Sequence, residues 1–153
     1  AGRGKVIMDG DFTRLNTFAN DEQKKSVISL QLMAGGPIAI ADQYNTIGDN
    51  ARFYQNTEML ELNKDRFAGQ PLSNSIINSR NQIWYGQMTD GDWVVGFFNR
   101  DGNNKNVSFN FSEIGLEGEY KIRDLWKHAD EGSANKINVN LPPYGCKIVR
   151  LSK

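Results

Sequence analysis

The sequence predicts an α/β segment followed by an all-β segment: a parallel-sheet or barrel unit over residues 1–66, then a small antiparallel β-sandwich over residues 80–153. Three observations carry this. Before residue 66, short apolar runs alternate with helix-length segments. Beyond residue 80, short apolar runs are separated by turn chemistry every few residues. Between them, residues 67–79 (Phe-Ala-Gly-Gln-Pro-Leu-Ser-Asn-Ser-Ile-Ile-Asn-Ser) read as a linker. The 153 residues amount to about one ordinary domain in length, so two large domains are excluded.

Taken in order, Lys5-Val6-Ile7-Met8 is a short apolar run that ends at the turn signal Asp9-Gly10-Asp11. Asn20-Asp21-Glu22 starts a helix, with a capping side chain and acids placed for the helix dipole. Val27, Ile28, Leu30, Leu32 and Met33 crowd more than one face of it, which predicts packing on both sides. Ala34-Gly35-Gly36-Pro37 ends the helix, and Ile38-Ala39-Ile40-Ala41 reads as a buried strand. A second helix is expected from a cap near Gly48-Asp49 through Leu62. Two strands and two helices cannot close a barrel on their own.

In the second half, Gln82–Met88 and Trp93–Phe98 flank Thr89-Asp90-Gly91-Asp92, a strong hairpin signal. Asn106–Phe111 alternates strictly between polar and apolar, and Gly118–Trp126, Ile137–Leu141 and Cys146–Leu151 complete six strands. Trp84, Tyr85, Trp93 and Trp126 could stack on sugars, but aromatics on strands are more often core, and core is the reading taken.

Composition narrows the function classes. Eighteen basic residues balance eighteen acidic ones, so the electrostatic footprint of a nucleic-acid partner is missing. No apolar run is long enough for a membrane helix. One cysteine, Cys146, forbids an internal disulfide, and one histidine, His128, leaves little for a metal site or a catalytic dyad or triad. No dinucleotide fingerprint or phosphate loop is found, so no cofactor is expected. The first residues, Ala-Gly-Arg-Gly-Lys, have no apolar region behind them and do not read as a signal peptide; an excised or processed piece is expected. The Asn- and Gly-rich composition suits a secreted or extracytoplasmic location.

Five motifs in order carry a resemblance. Met8-Asp9-Gly10-Asp11-Phe12 resembles the Asn-Asp-Pro-Asp-Met motif after the seventh barrel strand of the alpha-galactosidase (melibiase) family, glycoside hydrolase family 27. Leu32–Ile40 is similar to its run into the eighth strand, and Glu58-Met59-Leu60-Glu61-Leu62-Asn63-Lys64-Asp65 resembles its Glu-Val-Ile-Ala-Val-Asn-Gln-Asp. Arg123-Asp124-Leu125-Trp126 and Leu141-Pro142-Pro143-Tyr144-Gly145 are similar to its sandwich signatures. The resemblance implies that residues 1–66 are the terminal βαβα portion of a TIM (β/α)8 barrel. It also implies a parent enzyme that removes terminal α-linked sugars with retention of configuration.

The resemblance makes Asp11 the residue that contacts sugar hydroxyls, as a charge-assisted acceptor, with Phe12 in the pocket wall. Asp9 and Asp42 join it as candidate substrate-binding acids, because each is expected just past a strand, where a barrel keeps its site. For each acid, an ordinary turn or helix cap competes with that reading. The family's Pro is Gly10 here and its Met is Phe12, so the sugar is left open. A retaining glycosidase needs two carboxyl groups roughly 5–5.5 Å apart. The family's pair lies on earlier strands that nothing in this chain matches, so the chain alone is expected to be inactive. The expected partners are a carbohydrate substrate and the remaining barrel segment, or self-association in its place. A non-catalytic carbohydrate-binding or structural domain is the alternative.

Overall fold

The structure, a computed structural model, describes Val6 and residues 8–153. The strand expected over residues 5–8 falls mainly outside the described residues, and Val6 and Met8 are exposed and not in a strand. The first strand described is β1 (Phe12–Thr13), which pairs in parallel with β2 (Ala39–Ile40). Helix α1 (Asp21–Met33) connects them. Its start is set by Asn20, whose side chain accepts from the Gln23 amide at 3.0 Å, with Asp21 and Glu22 in the first turn. Its end is set at Gly35, which takes φ +79° and which a Cβ would drive to 2.9 Å from the Phe67 carbonyl.

The second expected helix is broken into two, α3 (Ala51–Tyr54) and α4 (Thr57–Lys64), and a short helix, α2 (Tyr44–Ile47), precedes it. Asn56 is the reason for the break. This buried side chain caps α4 by accepting from the Met59 amide at 3.1 Å and donates to the Leu125 carbonyl at 2.9 Å. A continuous helix would leave that carbonyl unpaired. β2 is shorter and more open than expected, with Ile40 exposed.

The strands that follow are β3 (Gln70–Pro71), β4 (Ile83–Gln87), β5 (Trp93–Phe98), β6 (Lys105–Asn110), β7 (Tyr120–Asp124), β8 (Ala129–Ala134), β9 (Lys136–Leu141) and β10 (Cys146–Ser152). Six form one antiparallel sheet in the order β3-β4-β5-β10-β7-β8, and β6 pairs with β9 opposite it. The Asp90-Gly91 hairpin forms where expected, with Gly91 at φ +96°. The alternating strand ends one residue early. Asn110 begins a single 3-10 turn (Phe111–Ile114), closed by a capping box with Glu113. Two strands escaped the sequence reading. β8 is polar and exposed and shows no apolar alternation. β3 lies within the stretch expected to be a linker, where Phe67 is also buried.

Both faces of the large sheet are covered. Val95 and Phe97 of β5 and Val149 and Leu151 of β10 pack with Phe109, Phe111, Val139 and Leu141 under the β6–β9 pair. Val94, Phe98 and Ile148 point the other way, against Ile28, Leu32 and Met33 of α1 and Met59 and Leu62 of α4. The helices of the first half therefore form a third layer on the sandwich. The strand run Trp-Val-Val-Gly-Phe-Phe is nearly all apolar because its central residues are buried on both sides. Trp84 and Trp126 are partly buried against the helical layer, and Tyr85 and Trp93 stack at 6.3 Å on the other face.

Candidate functional site

The acids singled out in the sequence lie around the parallel pair. Asp9 and Asp11 precede β1 rather than follow it, so the reason for placing them past a strand rests on residues outside the described set. The turn they form is well defined. The Asp9 carboxylate accepts from the Asp11 amide at 2.9 Å, and the Asp11 carboxylate accepts from the Phe12 amide at 2.7 Å. Asp11 sits at φ +64°, a left-handed conformation that Asp tolerates better than most residues. Both carboxylates are exposed, and the Phe12 side chain is 76% exposed beside them. An open pair of acids with an uncovered aromatic ring can accept hydrogen bonds from hydroxyls and stack against an apolar face.

What holds this turn is Gln31, a residue the sequence reading passed over. It is buried on α1, donates to the Gly10 and Asp11 carbonyls at 3.3 and 3.2 Å, and accepts from the buried Thr13 hydroxyl at 2.9 Å. The signal was an amide standing between Leu30 and Leu32 in an otherwise apolar run. Gly10 is required here, because a Cβ would approach Gln31 Cγ to 2.9 Å.

Asp42 follows β2 as expected, but protein donors fill its carboxylate. The Leu15 amide (2.9 Å) and the Tyr54 hydroxyl (2.7 Å) bond to one oxygen, and the Asn16 amide reaches the other at 3.4 Å. Burial would raise the Asp42 pKa, but the Tyr54, Leu15 and Asn16 hydrogen bonds together with nearby Arg14 bring it below the usual value. Burial first, then the Asp42 carboxylate, push the Tyr54 phenol upward. This buttress ties the end of β1 to the end of β2 and to α3.

The remaining candidates are structural. Glu58 on α4 is held by Arg123 through two 2.7 Å bonds and lies 2.8 Å from His128 Nδ1, which locks the helical layer to the β7–β8 hairpin. The Arg123 hydrogen bonds hold the Glu58 carboxyl below its ordinary pKa, against the opposing effect of burial. Cys146 lies 3.4 Å from the Ser29 hydroxyl, and burial pushes its thiol up to about 11. His128 and Cys146 thus have separate partners and make no dyad. Among the described residues, no group of three or more His, Cys, Asp or Glu side chains could hold a metal ion, and no helix is long and apolar enough to cross a membrane.

Residues 78–151 match the family model described as the alpha galactosidase C-terminal beta sandwich domain. The chain is 41% identical to an isomalto-dextranase of Arthrobacter globiformis over 161 aligned positions, covering 99% of this chain and 25% of that protein. The chain is thus similar to parts of an isomalto-dextranase and of alpha-galactosidases, and its second half matches their C-terminal sandwich. What it shares with these relatives is their C-terminal part. An alpha-galactosidase of Oryza sativa subsp. japonica is 23% identical over 87% of the chain, which covers 32% of the rice protein. The structure of the Arthrobacter globiformis T6 isomalto-dextranase complexed with panose superposes with a TM-score of 0.90 at 39% identity, over 99% of this chain and 27% of that one. The chain therefore spans about a quarter to a third of the length of the curated relatives it matches.

Proposed function

We propose that this chain works as the C-terminal part of a retaining, exo-acting glycosidase that hydrolyses terminal α-linked sugars, with both catalytic carboxylates supplied by chain outside it. The observation that carries the reading is the 41% identity to an isomalto-dextranase across 99% of the chain. On this reading residues 1–66 are the end of the catalytic TIM barrel, joined through residues 67–79 to the sandwich of 80–153. The parallel pair supports it. Parallel strands are ordinarily buried on both faces, yet the residues at and beside this pair leave Met8, Phe12, Ile40 and Tyr44 open, the last of them 100% exposed. Neighbouring barrel strands and helices would cover such a surface.

Asp11, Asp9 and Phe12 then face the sugar, and Asp42 acts from behind them as the buttress of the β2 end. The sandwich and the α1–α4 layer form a rigid base for that end of the barrel. The test is an enzyme that carries this chain together with the barrel portion, assayed on panose and on a nitrophenyl α-galactoside. The isolated chain is expected to hydrolyse neither. Asp11→Asn keeps the turn, since Asn retains the acceptor and tolerates a left-handed backbone. It should lower kcat/KM by about 10–100-fold, the scale of one charge-assisted hydrogen bond lost in the transition state. Wild-type kinetics in that variant would make Asp11 a turn residue only. Hydrolysis by the isolated chain would remove the need for outside carboxylates.

A further inference from the structure

A cleft of about 700 Å³ runs between α1 and the β3–β4 segment, with Tyr144 among its lining residues. That volume lies within the range of small-ligand sites, roughly 300–1,000 Å³. Its walls hold four aromatic rings, Phe18, Trp84, Phe98 and Tyr144, and its polar lining combines five amides with the Ser26 and Ser73 hydroxyls. Arg100 on the exposed lip is the one charged side chain in the lining, and it stands outside every ion pair among the described residues. No carboxylate lines the cleft, and one guanidinium against largely apolar walls suits a neutral ligand.

Two further features set the cleft apart from an ordinary crevice. Asn81 spends its amide donors on the Ser75 and Ile76 carbonyls, both at 3.2 Å, and its Oδ1 is buried without a hydrogen-bond partner. Buried acceptors are nearly always paired, so this unpaired one is unusual in the cleft wall, though it is enclosed by protein and out of a ligand's reach. Tyr144 holds φ +56°, a rare conformation for a bulky residue. Both sides of the cleft hold it there: its amide donates to the Asp101 carbonyl at 3.1 Å, and its carbonyl accepts from the Ser26 hydroxyl of α1 at 2.7 Å. Strained positions of this kind cluster at ligand sites.

We propose that this cleft binds a short neutral oligosaccharide of α-linked pyranoses, with ring faces against Trp84 and Tyr144 and hydroxyls on Arg100 and Gln82. The choice of ligand class rests on the glycosidase reading above. A pyranose has an apolar C–H face edged by hydroxyls that donate and accept, which fits aromatic walls rimmed by amides. An apolar helix in the same place would leave the Trp84 indole N–H and the Arg100 guanidinium without partners.

The test titrates panose and raffinose, each into the millimolar range, into the isotopically labelled 153-residue chain and reads amide and indole chemical shifts. Saturable shifts are expected at the Trp84 indole and at Asn74, Gln82, Arg100 and Tyr144. Arg100→Ala, on an exposed lip, should leave the circular dichroism unchanged and weaken binding about tenfold, the equivalent of one lost hydrogen bond. The proposal is overturned by shifts that do not saturate, by shifts confined to Asp9–Phe12, or by affinity that Arg100→Ala leaves unaltered. It is also overturned if light scattering finds a dimer that Leu30→Glu converts to a monomer, since a second copy would then fill the cleft. Asp11→Asn separates the two readings. Hydrolysis by the longer enzyme can fail while the cleft shifts persist, and the cleft shifts can be absent while hydrolysis persists.

Discussion

Replacing Gln31 with Leu tests whether one buried amide shapes the Asp9–Asp11 turn. Leu matches the apolar stem of Gln but ends three hydrogen bonds: two donated to the Gly10 and Asp11 carbonyls and one accepted from Thr13 Oγ1. The losses are unequal. Gly10 and Asp11 are exposed, so water can replace the amide at their carbonyls, at about 0.5 kcal/mol each. Thr13 is 1% exposed, so its hydroxyl loses its acceptor with no water at hand, at about 1–3 kcal/mol. The sum is about 2–4 kcal/mol, or a Tm drop of roughly 4–16 °C for a chain of this size. The second half of the test is sharper. Adding Thr13→Val removes the stranded hydroxyl, so the double variant should recover about 1 kcal/mol relative to Gln31→Leu alone. Urea unfolding of the four proteins supplies the cycle. Amide shifts of Asp11 and Phe12 should move in both Gln31→Leu variants. A single variant within 0.5 kcal/mol of wild type, or a double variant that is simply additive, would refute the clamp.

Acid should weaken the joint between the helical layer and the β7–β8 hairpin. Glu58 has a folded-state pKa below its ordinary 4.5, so its contribution is fully present above that value and is lost as pH falls through the lower folded value. Glu58→Gln should therefore flatten the acid limb of a urea-midpoint profile taken from pH 7 down to about 3; a parallel profile would contradict this. Asn56→Ala removes the α4 cap and strands the Leu125 carbonyl, so a loss of about 2 kcal/mol is expected in urea unfolding. Cys146, with its thiol pushed up to about 11, should react with iodoacetamide at pH 8 far more slowly than in urea, because roughly one thiol in a thousand is then ionised. Equal rates in the two conditions would show that the thiol is not buried.

Much of the architecture was legible in the chain because it depends on local rules. Asn20-Asp21-Glu22 marked the start of α1 and Gly35 its end, since capping needs particular side chains within a few residues. Asp90-Gly91 marked the β4–β5 hairpin for the same reason, and the alternation of Val107 and Phe109 with Asn106 and Ser108 marked the buried side of β6. The polar edge strand β8 stayed hidden because an exposed strand carries no apolar period. Only the fold decided what depends on distant partners. Asn56 breaks a helix because the Leu125 carbonyl, far along the chain, needs its amide. Asp42 became a buttress because Leu15, Asn16 and Tyr54 converge on it. The helices of the first half became a third layer because the apolar side chains of β5 and β10 face both ways and cannot be left in water on either. Periodicity records which faces of a segment are apolar. What covers each face is settled only when segments far apart in sequence meet.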